Sequence, residues 1–140
     1  MYKSTVIFIL LIKSLFLYSQ DNINETTVPV FENCENVNTS QKENCFNQTL
    51  QKYLLANYKE PQEVSQKNYT GNAFVLFEID KNGNFNTIYI NAELKSVKQA
   101  LDIAFSNMPK IEPAKYNGRP TYYQLRMPLK IPFNSKSYRL

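Results

Sequence analysis

The stretch Asn72 to Asp80, followed by Lys81-Asn82-Gly83-Asn84, constrains this chain more than any other part of it. Ala73, Val75, Phe77 and Ile79 alternate with Phe74, Leu76 and Glu78. That period of two sends successive side chains to opposite faces of a strand. Asn-Gly is the strongest short hairpin signal, because tight hairpin turns need residues that accept positive φ. The spacing predicts a strand over 72–80 and a returning strand over Phe85–Ile90. Phe74 and Leu76 make the second face apolar at its start as well.

Helical spacing flanks this hairpin. Phe46, Leu50, Tyr53 and Leu54 fall at i, i+4, i+7 and i+8, predicting a first helix over Cys45–Tyr58 with Asn44 as N-cap. Pro61 stops it, since the residue before a proline avoids the α region. Val97, Leu101, Ala104, Phe105 and Met108 form the stripe of a second helix over Leu94–Met108, ended by Pro109. Ala100 and Ala104 are small enough to let it lie close to a sheet. Lys110–Pro120 reads as an irregular connection with Asn117-Gly118 as a turn. In Thr121–Ile131, Tyr123, Leu125, Met127, Leu129 and Ile131 alternate with Tyr122, Gln124, Arg126, Pro128 and Lys130, giving one core face and one solvated face. Pro128 has no N–H for a ladder, so this strand belongs at a sheet edge or carries a bulge. Ahead of the first helix, Thr27–Phe31 reads as a short extended segment and Glu32–Asn44 as a polar loop. The expected fold class is α+β, a small antiparallel sheet with two helices packed on one face.

The 140 residues give room for one domain once a leader is set aside. Met1–Gln20 reads as a secretory signal peptide: Lys3 supplies the positive start, Thr5–Tyr18 is apolar, and the chain turns polar at Asp21. Lys13 interrupts the apolar stretch and no Ala-x-Ala site is present, so an uncleaved membrane anchor is the competing reading. The cut is expected after Ser19 or Gln20. No Cys lies near it, which disfavours a lipoprotein. The expected organisation is a leader over 1–20, a short polar tail over 21–27 and a domain over 28–134, exported to the periplasm or held at the cell envelope.

Formal charge is +4, and losing Lys3 and Lys13 leaves 14 basic against 12 acidic residues, a net of +2. Without a basic run, so weak an excess argues against nucleic acid as the main partner. There is no His, which removes the commonest general base and metal ligand. No enzyme, cofactor or metal site is expected. Cys34 and Cys45 are the only cysteines. In an exported chain an even pair suggests a disulfide. Two unpaired thiols are the alternative, and zinc is disfavoured because two thiolates without His leave the coordination short.

Taken together, these segments resemble the TonB C-terminal domain family, in the form common in Bacteroidetes. The resemblance covers about Val28 to Phe133. Val28-Pro29-Val30-Phe31 with Cys34-Glu35 is similar to the family's leading segment, and Cys45-Phe46-Asn47 to its helix start. Gly71–Asp80 with Gly83 resembles its hairpin. Ala100, Ala104, Met108-Pro109, Pro113-Ala114 and Asn117-Gly118-Arg119-Pro120 resemble its second helix and connection, and Pro128-Leu129 with Phe133 its closing strand. The family implies a periplasmic module that grips a segment of an outer-membrane TonB-dependent receptor, or another envelope protein, by adding it as a strand. Three features depart from the family. Asp21 to Val28 is the only linker. Tyr58-Lys59-Glu60-Pro61 replaces the usual Tyr before the proline. The leader lacks the polar residue that couples such proteins to their motor. The resemblance therefore also admits a stand-alone structural or regulatory envelope domain without energy transduction. The sequence leaves homodimerisation open.

Tyr122, Gln124, Arg126 and Lys130, the polar side of the last strand, are the candidate partner-binding residues; a merely solvated face is the alternative. Other motifs carry less. Asp80-x-Asn82-x-Asn84 begins like a calcium loop, but Phe85 stands where that loop needs Gly and Asn91 where it needs Glu. The sequons at Asn24, Asn38, Asn47 and Asn68 read as chance in an Asn-rich chain. Glu60 and Glu63 flank Pro61 and read as solvated loop charges rather than paired acids.

Overall fold

The computed structural model describes residues 25–134. The expected leader over 1–20 and the first residues of the expected polar tail lie outside them. In chain order the elements are β1 (Thr26–Thr27), a 3-10 turn (Glu32–Cys34), α1 (Thr39–Asn57), α2 (Gln62–Gln66), β2 (Gly71–Ile79), β3 (Phe85–Asn91), α3 (Lys95–Ser106), β4 (Lys115–Tyr116), β5 (Arg119–Pro120) and β6 (Tyr123–Ile131). The fold is α+β. Its main sheet is antiparallel with strand order β3-β2-β6, and a small second sheet has the order β1-β4-β5. Among the described residues no helix is long and apolar enough to cross a membrane.

The central strand β2 buries the side chains expected of it: Ala73, Val75, Phe77 and Ile79. On β6, Met127, Leu129 and Ile131 are buried, while Tyr123 and Leu125 are only half-buried. Phe46, Leu50 and Leu54 of α1 and Val97, Leu101, Ala104 and Phe105 of α3 close over the same side. The aromatic rings knit the layers together. Phe77 lies 4.9 Å from Phe105 and 5.8 Å from Phe85 between ring centroids. Phe31, from the segment before α1, stacks on Tyr53 at 5.4 Å and sits 5.5 Å from Phe46. Such pairs each add about 0.5–1.5 kcal/mol beyond the area they bury.

Several boundaries differ from the sequence reading. The helix α1 starts at Thr39, six positions before Cys45, and Asn38 rather than Asn44 stands at the N-cap position, without a side-chain capping bond. Its first turns are polar and solvent-facing, so no apolar periodicity marks them. It ends at Asn57, and Pro61 caps the short helix α2, whose buried residue is Val64. Proline here begins a helix as well as limiting one, since a fixed φ suits a helix start. Lys110–Pro120 contains the hairpin β4–β5, its two-residue turn formed by Asn117 and Gly118 at φ +49° and +76°. Thr26–Thr27, expected as loose tail, pair with Tyr116 and Lys115. Strands of two residues are too short to show a period in sequence.

The predicted hairpin turn is present. The Asp80 carboxylate accepts from the N–H groups of Asn82 (2.8 Å) and Asn84 (2.9 Å), and from the Asn84 side chain. These hydrogen bonds, the Asn84 N–H foremost, hold the Asp80 carboxyl below its ordinary range. Both its oxygens thus accept hydrogen bonds within the turn. Gly83 sits at φ +84° and its carbonyl accepts from Ile111 N–H at 3.0 Å. A Cβ there would collide with the Ile111 carbonyl, so the turn tip docks only as glycine.

The bridge between Cys34 and Cys45 is formed, with Cα atoms 5.9 Å apart, and ties the 3-10 turn to the interior of α1. Cys34 is fully buried. Thr49, also buried, donates its hydroxyl toward Cys34 Sγ at 3.6 Å and accepts from Asn33 Nδ2 at 3.1 Å, which satisfies a polar group inside the core.

Candidate functional site

β6 lies at the edge of the main sheet, the first of the two placements that Pro128 allows. Its pairing with β2 runs without interruption from Gly71 opposite Ile131 to Ile79 opposite Tyr123. Which side its main chain faces follows from the hairpin. Asp80 N–H donates to Asn84 O at 3.0 Å, so the main-chain groups of Asp80 point toward β3. Main-chain direction alternates along a strand. The even-numbered residues of β2, Phe74 among them, therefore face β3, and its odd-numbered residues face β6. Phe74 is the partner of Pro128. The missing N–H of Pro128 consequently points away from β2 and removes nothing from the sheet. Gln124, Arg126 and Lys130 share that parity and direct their N–H and C=O groups outward. No strand among the described residues pairs with that edge.

Side chains alternate with the same parity. Those of Gln124, Arg126, Pro128 and Lys130 stand on the face of the sheet opposite the helices, and all four are exposed. Gln124 Nε2 donates to Glu78 Oε2 at 2.9 Å. The Arg126 guanidinium lies 4.0 Å from the centroid of the Phe74 ring. Tyr122, just before β6 and 54% exposed, has the Lys81 ammonium 5.3 Å from its ring centroid. Lys130 stands apart, opposite Asn72 on the far side of Pro128. The structure thus brings Tyr122, Gln124 and Arg126 into one row and separates Lys130 from them.

Comparison with protein-family models, curated proteins and solved structures gives no match.

The open face has partners that the sequence reading left out. Phe74 and Tyr89 sit 5.8 Å apart, and Lys98 from α3 reaches to 5.8 Å from the Tyr89 ring. An irregularity in the β2–β3 register between Leu76 and Phe77 leaves Ile88 and Tyr89 of β3 both about half exposed. The apolar second face of β2 was a visible sign of this cluster. The cation over Tyr89 was not, because Lys98 comes from a helix. Each cation–π pair at an exposed site is worth about 0.5–1 kcal/mol, so these contacts orient side chains more than they stabilise the fold.

The other candidate residues serve the scaffold. Glu63 engages Lys67 and accepts from Ser96 Oγ at 2.6 Å, and these bonds, with Lys67 first, lower its pKa. Glu60 accepts from the N–H of Phe133 at 3.4 Å. Burial, with the Glu60 carboxylate adding to it, raises the pKa of Tyr58 above the usual phenol range. Its ring packs edge-on against Phe133 at 5.5 Å.

Proposed function

We propose that this chain is an exported envelope module, of the TonB C-terminal kind, that binds an extended peptide by strand addition to the free edge of β6. The partner is an outer-membrane TonB-dependent receptor or another envelope protein offering such a segment. The supporting observation is the outward N–H and C=O groups of Gln124 and Arg126 on an edge that no strand among the described residues pairs with. An unpaired edge is a template for another strand, with the main chain supplying affinity and alternate side chains supplying selectivity. Arg126 and Tyr122 flank the position a guest strand would take. An exposed ion pair with Arg126 is worth at most about 1 kcal/mol, so the backbone carries most of the binding.

The test separates backbone from side chain. Immobilised domain is used to capture outer-membrane proteins from envelope extract. Gln124→Pro removes one outward N–H while leaving the β2 pairing whole, and is expected to lower capture about tenfold. Gln124→Ala keeps the N–H and should stay within about twofold of wild type. Equal behaviour of the two variants, both folded, contradicts strand addition.

A further inference from the structure

We infer that Pro128 is a stop that fixes where a guest strand ends on β6, an inference that rests on the strand-addition reading above. Gln124 and Arg126 each offer an outward N–H and C=O, so each can form a complete two-bond pair with a guest residue. Pro128 shares their outward parity but offers only its C=O. A guest running past it would leave one of its own carbonyls facing the proline ring with no donor, and a polar group shielded without a partner is costly. Lys130 offers both groups again, but a guest reaches it only across that gap. The free edge is therefore divided. Its accepting half spans Tyr122 to Arg126, next to the Lys81–Tyr122 and Arg126–Phe74 pairs. Its other half, ending at Lys130, is closed. The favoured guest is short, about five residues in extended form, and its register is set by the protein rather than by the guest's sequence. Pro128 does this without weakening the sheet, because its partner Phe74 directs its own main-chain groups to β3.

Acetylated and amidated Thr-Val repeat peptides of three, five, seven and nine residues, titrated against the whole domain with its disulfide intact, test this. With wild type, affinity should rise from three to five residues and then level within about twofold. With Pro128→Ala, which restores an outward N–H at a residue whose side chain is already exposed, affinity should keep rising, so that the nine-residue peptide binds about fivefold tighter than to wild type. Lys130→Pro serves as a second variant and should leave the wild-type profile unchanged. Identical length dependence in wild type and Pro128→Ala overturns the inference and leaves strand addition standing. So does a loss with Lys130→Pro as large as that with Gln124→Pro. Absence of binding by every peptide overturns strand addition itself, and the stop with it.

Discussion

Phe77→Ala is expected to lower the stability of the domain by about 3–5 kcal/mol, the range for removing a fully enclosed aromatic ring. Phe77 is wholly buried at the centre of β2, between the ring of Phe105 on α3 and that of Phe85 on β3. The cost combines lost transfer energy, lost contacts with these two rings and a cavity that they cannot close. Phe74 is the sharp control. It lies three residues away on the same strand but on the open face, half-buried under the Arg126 guanidinium. Phe74→Ala should cost about 1 kcal/mol, the value of a partly exposed ring with one cation–π contact. Urea unfolding followed by circular dichroism measures both. Equal losses would mean that the sheet is covered on both sides, contrary to the one-sided architecture described above.

Removing the disulfide is expected to cost about 3 kcal/mol. Cys34 and Cys45 are 11 residues apart in sequence, and closing a loop of that size restricts the unfolded chain by about this amount on chain-entropy grounds. In a domain of this size that corresponds to a fall in melting temperature of about 10–20 °C. The measurement is thermal unfolding of wild type, oxidised and reduced, beside the double variant Cys34→Ala, Cys45→Ala. The reduced protein and the double variant should both melt well below the oxidised protein. The loss should be felt locally as well, since the bridge positions Asn33 and Cys34 around the buried Thr49 hydroxyl. A shift of under about 3 °C would show that the packing of Phe31 against Phe46 and Tyr53 already holds this segment without the bridge.

The legible parts of the fold were those with a long apolar period or special turn chemistry. Alternation over nine residues exposed β2 and β6, and Pro128 marked β6 as either an edge or a bulged strand before any register was known. Asn82-Gly83 and Asn117-Gly118 marked two turns, and Gly83, Asn117 and Gly118 do sit at positive φ, where glycine and asparagine are tolerated. The start of α1 was hidden because Thr39 to Asn44 face solvent, where polar residues carry no phase. Helix α2, five residues long with Val64 as its buried residue, offers no period to detect. The sheet β1-β4-β5 depends on long-range pairing of two-residue strands, a tertiary fact with no local signature. At the site, the sequence supplied the row on β6 but not what each side chain touches. Gln124 meets Glu78 and Arg126 meets Phe74 across the β2–β6 ladder, with partners 46 and 52 positions away in the chain, and only the register brings them together.

Amide hydrogen exchange on β6 tests the central claim most directly. In the free domain the amides of Leu125 and Met127, which face β2, should exchange slowly, and those of Gln124 and Arg126 should exchange fast because they point outward. Adding the seven-residue Thr-Val peptide should slow Gln124 and Arg126 about tenfold or more at saturation and leave Leu125 and Met127 unchanged. Peptide binding that leaves Gln124 and Arg126 fast, or outward amides that are already slow in the free domain, would contradict the account.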